Sequence, residues 1–201
     1  MSGDDFEEDV DFELSSDRAK QVSDIIKAAL YNTAESFEKI NFLVFGPSKD
    51  TPEFKTHRLP IKEMIRNKKR QNADFPEDID EKVLKKVADP KDPGYLKKIL
   101  ENPATKEIIL ARGYDFIVIP LISVGTFSEF SLFVKDTRIA PKIRLYIPKE
   151  FARSKGFLTK GPVEVFRRAY DNVKSFKDSK DLLKKVCDTV DDLITMRLLQ
   201  S

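Results

Sequence analysis

Glu129 is the acid whose setting in the chain could support chemistry. It follows an apolar run, Phe116 to Ile122, bounded by Asp115 and Ser123. A short run this rich in isoleucine suits a strand buried on both faces of a parallel sheet. Pro120 removes one ladder donor, which puts it near the strand's end. Gly125 turns the chain, and the pattern predicts a helix from about Thr126. Phe127, Phe130, Phe133 and Val134 share one face of that helix, with Glu129 at its edge. On this reading Glu129 lies in the first helical turn, where free N–H groups and the macrodipole favour an anion by about 0.3–1 kcal/mol. It then sits above the carboxyl end of a strand, where open α/β sheets bind ligands. A carboxylate there can stabilise or attack the positive charge that develops at a sugar carbon when an N-glycosidic bond breaks. From the residues alone, the alternative is an ordinary surface glutamate on a helix. Asp115 starts the strand at the opposite end and is not read as catalytic.

The elements that must position Glu129 follow from the rest of the chain. Asn41 to Phe45 reads as the first strand, and Gly46-Pro47-Ser48 as the turn after it, forming the other lip of a cleft. Glycine at 46 lets backbone come close to a ligand; the plainer reading is a strand-to-loop turn. Backbone N–H groups at Gly125 and Thr126 can approach a sugar or a phosphate. Pro60 fits the first turn of a helix through Ile61, Met64 and Ile65. Asp74 and Phe75 suit a short second strand, and Glu77 to Val87 suits a helix. Asp89 to Gly94 breaks that helix, and helical pieces follow at 94–101 and 104–111, ending at Gly113. Ile143 to Ile147 is a strand closed by Pro148, and 151–161 is a loop containing Arg153, Lys155 and Lys160. Pro162 opens a short helix to Tyr170, and Asn172 to Phe176 is a last strand. Asp178 or Ser179 caps a closing helix whose core face is Leu182, Leu183, Val186, Val190, Leu193 and Ile194. Strands alternating with helices predict an α/β fold: a flavodoxin- or Rossmann-like parallel sheet of four or five strands, order 2-1-3-4-5, with helices on both faces.

Gly125-Thr126-x-x-Glu129 after a hydrophobic strand resembles nucleoside 2-deoxyribosyltransferases, and Phe45-Gly46-Pro47 resembles the end of that family's first strand. The wider pattern resembles small effector proteins of bacterial retron anti-phage systems. It comprises Phe75-Pro76-Glu77-Asp78-Ile79, residues 115–136, Lys142 to Pro148 and Phe157 to Pro162, and covers about residues 40–198. The resemblance implies that Glu129 attacks the sugar C1′ and displaces the base. Phe45, Gly46, Pro47, Ser48, Ser123, Gly125 and Thr126 would line the substrate site. The transferases usually carry an acid just before the Gly-Thr pair, where this chain has Ser123. The expected activity is hydrolysis or transfer at the N-glycosidic bond of a nucleoside, nucleotide or NAD-like molecule, in a toxin-like defence effector. NAD or a nucleotide enters as substrate rather than cofactor. The implied partners are a retron reverse transcriptase and its RNA–DNA product. A non-catalytic nucleotide-binding sensor or partner-binding module on the same fold is the alternative.

Bulk properties narrow the field further. At 201 residues the chain can hold one domain of ordinary size with arms. Its organisation reads as an acidic arm over 1–14, an N-terminal helix over 15–40 that covers the sheet edge or forms a homo-oligomer contact, and an α/β domain over 41–201. Charged residues make up 35% of the chain but cancel to +2, so no overall field points to nucleic acid or a membrane. Lys55, His57, Arg58, Lys62, Arg66, Lys68, Lys69 and Arg70 form a basic stretch, read as a solvated face or as a seat for phosphate or nucleic acid. His57 is the sole histidine, and no Cys/His spacing suggests a metal site. Cys187 is the sole cysteine, lies within a helical apolar pattern, and fits packing in a reducing cytoplasm. No apolar stretch reaches the ~20 residues that span a bilayer, and the acidic start suggests no signal peptide. Neither a P-loop nor a dinucleotide fingerprint occurs, which argues against kinases, motors and classical dehydrogenases.

Overall fold

The computed structural model describes residues 38–79, 102–153 and 159–200. The acidic arm over 1–14, the N-terminal helix up to residue 37, the helical stretches over 80–87 and 94–101, the break at 89–94 and Lys155 lie outside the described residues. The chain divides into two compact units, Lys39–Ile194 and Met1–Glu38 with Thr195–Ser201. The sheet and the cleft belong to the first.

Five strands form one parallel sheet in the order β2-β1-β3-β4-β5. They are β1 (Asn41–Val44), β2 (Asn72–Asp74), β3 (Phe116–Pro120), β4 (Ile143–Pro148) and β5 (Val173–Phe176). The expected α/β architecture and strand order are both present. The register pairs Leu43 with Ile117 and Ile119 with Leu145. Side chains alternate across a strand, so Leu43, Ile117, Ile119, Leu145 and Ile147 face one way. They pack with Phe130, Phe133, Ile109, Leu110 and Phe166 from the helices. Phe42, Val44, Val118 and Tyr146 face the other way and are equally buried. This two-sided burial is why the strands are apolar runs rather than alternating patterns. Pro120 ends β3 as expected, and the Leu121 N–H resumes the bonding to the Tyr146 carbonyl at 2.7 Å. At the opposite end of the sheet, Asp115 accepts from the Asn41 backbone N–H at 2.8 Å and from Asn41 Nδ2 at 3.0 Å. Its carboxylate therefore locks the β1–β3 register.

The helices are α1 (residues 52–68), α2 (Pro103–Gly113), α3 (Val124–Phe133), α4 (Lys149–Arg153), α5 (Glu164–Tyr170) and α6 (Ser179–Gln200). Four local expectations are corrected. Pro60 lies inside α1, not in its first turn. The preceding turn widens, with the Leu59 N–H reaching the Phe54 carbonyl five residues back, which accommodates a ring that would crowd a regular turn. No helix starts at Glu77: Pro76–Asp78 is a single tight turn, and Ile79 is extended. Residues 151–153 are helical rather than loop, continuing from Pro148 into α4. Finally, α3 starts at Val124 rather than Thr126, because Ser123 caps it. At the last helix, Asp178 Oδ1 accepts the Asp181 N–H at 2.9 Å, so Asp178 is the cap. Among the described residues no helix is long and apolar enough to cross a membrane.

Candidate active site

Parallel strands deliver their carboxyl ends to one edge of the sheet. A crevice forms where the strand order reverses, here around β1, which has β2 on one side and β3 on the other. A cleft of about 910 Å³ opens there. Its walls are the turn after β1 (residues 46–51), Pro76 and Glu77 after β2, the start of α2 with Pro103, Lys106 and Glu107, and the segment after β3 with Ile122, Ser123, Gly125 and Glu129. Of the residues expected to hold a substrate, Gly46, Pro47, Ser48, Ser123 and Gly125 line this cleft with Glu129. Phe45 and Thr126 do not. Phe45 is a core residue, 4.9 Å edge-on from the Phe133 ring. Thr126 is fully buried beneath the helix start.

The start of α3 explains the position of Glu129. The Ser123 hydroxyl accepts the Thr126 N–H at 3.2 Å, and Thr126 Oγ1 accepts the Ser123 N–H at 3.1 Å. This reciprocal cap uses the Thr126 N–H, so that group is not a free donor for a ligand. It also moves Glu129 out of the first turn, which contains no acid. The expected help from the helix start is therefore absent. Ser123→Ala is expected to lower stability by about 1 kcal/mol, measurable as a shift in the urea midpoint; an unchanged midpoint would show that the cap contributes nothing.

Without that help, burial dominates. Glu129 is half-buried, and its Oε2 is shielded from solvent with no hydrogen-bond partner among the described residues. Burial, and then the charge of Glu107, push its carboxyl up to about 8; Arg58 opposes this, and Glu77 adds to it. Glu107 is also raised, by burial first and then by Glu77, against Arg58 and Lys106. Desolvation and neighbouring like charge both disfavour the ionised form. The cleft thus holds two carboxyls that keep their protons more tightly than ordinary glutamates, as active-site acids do.

Sequence reasoning assigned no site role to Lys106, Glu77 or Glu107, and gave Arg58 one only as part of a basic stretch that could seat phosphate or nucleic acid. Arg58 was expected on a basic face, yet it is only 4% exposed and forms a two-pronged ion pair with Glu77 at 2.8 and 2.7 Å. The rest of that stretch is partly paired as well: Lys62 with Asp78, and Lys69 with Asp191. Glu77 did carry a signal, since it lies in Phe75-Pro76-Glu77-Asp78-Ile79. Glu107 is an ordinary position in a helical pattern and carried none.

The family model for STM3845 retron effector protein matches residues 55–197 of the chain. No curated protein matches it.

Proposed function

The chain belongs to the STM3845 retron effector family, and on that premise we propose that it hydrolyses or transfers at the N-glycosidic bond of a nucleoside, nucleotide or NAD-like molecule. Membership gives it a role in anti-phage defence and an association with a retron system. The proposed activity makes it a toxin-like effector. A reverse transcriptase with its RNA–DNA product would be the partner that restrains it.

One observation carries the reading: Glu129 lines a ligand-sized cleft at the carboxyl edge of the sheet, and one of its carboxyl oxygens is buried without a protein partner. An orphaned buried acceptor is costly unless a ligand or a proton satisfies it. At neutral pH the free protein holds Glu129 protonated, since its carboxyl titrates at about 8. Positive charge developing at the sugar C1′ favours the ionised form. Substrate binding then releases the Glu129 proton to solvent, and the carboxylate either attacks C1′ or stands against its charge. Glu107, which lines the same cleft, gives a proton to the departing base. The C1′–N bond breaks and the base leaves with that proton; water or another acceptor then bonds to C1′, displacing Glu129 where it had bonded, and returns a proton to the Glu107 carboxylate. Gly46, Pro47, Ser48, Ser123 and Gly125 form the two lips that enclose the sugar.

The test is direct. Wild type and Glu129→Gln are incubated with NAD and the common nucleosides and nucleotides, and free base is followed by chromatography. The assay is run with the retron partners present and again after their removal. Release by the wild type alone is the expected result. No release under any condition, with ligand still bound, would replace catalysis by the sensor reading.

A further inference from the structure

Arg58 is the most heavily engaged side chain near the cleft. A guanidinium has five N–H donors, and all five are used. Nε and Nη2 donate to the Val44 carbonyl at 3.2 and 3.1 Å. Nη1 donates to the Pro47 carbonyl at 3.1 Å and to Glu77 Oε1 at 2.8 Å, and Nη2 donates to Glu77 Oε2 at 2.7 Å. Its Cζ lies 4.5 Å from the Phe75 ring centre and 5.9 Å from that of Phe54. No donor remains for a phosphate, so the simplest role for an arginine beside a ligand cleft is closed to this one. What its donors reach is the end of β1, the turn after it, and the turn after β2, which together make up one wall of the cleft.

We infer that Arg58 is the positioning residue of this site: it clamps the Gly46–Ser48 lip to the Pro76–Asp78 turn and holds Glu77 in its fork, so that Glu77 is tied to the wall while Glu129 and Glu107 act on the ligand. This deepens the glycosidase reading and rests on it for its consequence in catalysis, but the clamp itself does not. Lysine cannot substitute, because it has three donors and no planar fork. The clamp also sets the charge felt across the cleft. Arg58 favours the ionised form of both acids, whereas Glu77 disfavours it. Charged groups facing the same space are Glu107, Lys106, Lys49, Asp50 and Glu53, and none of these is altered in the test.

The experiment compares wild type with Arg58→Gln, Arg58→Lys and Glu77→Gln. One readout is the titration midpoint of the Glu129 carboxyl, followed by carbon NMR on selectively labelled protein. The other is base release across a range of substrate concentrations. Arg58→Gln is expected to raise the Glu129 midpoint and Glu77→Gln to lower it, each by about 0.5–1 unit. Arg58→Lys keeps the charge and so keeps the midpoint near wild type, but with the lip released KM rises about tenfold or more. Opposite shifts from two partners of one ion pair are not what a merely structural role gives. If Arg58→Gln does not fold, the downward shift in Glu77→Gln still decides the matter. Unchanged midpoints in the folded variants, or full rescue of KM by lysine, would overturn the clamp. Absence of base release from the wild type itself would instead count against the glycosidase reading, while the titrations would still judge Arg58.

Discussion

Glu129→Gln is expected to stabilise the protein, and to do so increasingly as pH rises. The carboxyl titrates at about 8 in the folded protein, against an ordinary value of 4.5. Below pH 4.5 it is protonated whether the chain is folded or not, and it contributes no pH dependence. Between 4.5 and 8 the unfolded chain releases the proton and the folded protein keeps it. Folding must then take up a proton, and stability falls by about 1.4 kcal/mol per pH unit. Above 8 both states are ionised and the full penalty remains. Glutamine removes the titration but still places a polar group where Oε2 has no partner, so the net gain at pH 8 is about 3 kcal/mol. The same substitution is expected to reduce base release at least a hundredfold. Urea unfolding of both proteins at pH 4.5 and pH 8 makes the comparison; a gain equal at the two values would show that the carboxyl is not held in its protonated form. Stability lost because folding must protonate a carboxyl, and recovered when that carboxyl is removed, is the pattern of a site under functional constraint.

The contrast between Glu129 and Arg58 shows what the sequence makes legible. The central strands came from local signals, the largely apolar runs of β1, β3 and β4 with a turn and a helical pattern after them, and the order 2-1-3-4-5 from the flavodoxin-like fold that alternating strands and helices suggest. Such signals are carried by neighbouring residues, and so they survive without knowledge of the fold. The location of Glu129 above β3 was readable for the same reason. Its electrostatics were not. Taking Gly125 rather than Ser123 as the break placed the helix start two residues late, and with it the supposed benefit of the first turn. Ser123 was visible as a capping residue type, but the glycine three residues short of Ser128 was the louder signal. Arg58 was misread because a run of basic residues looks like a solvated face. Its burial depends on Glu77, nineteen residues away in sequence, and on the end of β1, and no periodicity in the run reports either. Glu107 was invisible for a related reason: a helical pattern places it on a helix, but only the packing of α2 on the sheet brings it to the cleft that Glu129 lines.

Gly46→Ala is expected to lower stability by about 2–4 kcal/mol, through strain and crowding together. The backbone at Gly46 has φ +155°, a region that residues with a side chain rarely enter. Pro47 follows it and restricts the same residue further. A Cβ built there would stand 2.8 Å from Arg58 Cδ and 3.0 Å from its Cγ. Elsewhere a flexible side chain would move aside. Arg58 is held by five hydrogen bonds and two aromatic rings, so the clash is relieved only by breaking the clamp or shifting the end of β1. The sequence suggested that a glycine here admits a ligand; the close approach it permits in the structure is that of Arg58. The two contributions separate in a double-mutant cycle. In an Arg58→Ala background the Cγ and Cδ contacts are gone, leaving the backbone strain and a 3.2 Å approach to the remaining Cβ, so Gly46→Ala should cost about 1 kcal/mol less there. An equal cost in both backgrounds, read from urea unfolding, would mean that Gly46 is required by its own conformation and not by the arginine it accommodates. A smaller cost in the Arg58→Ala background would tie the Gly-Pro turn to the clamp, and make the first lip of the cleft something that Arg58 builds.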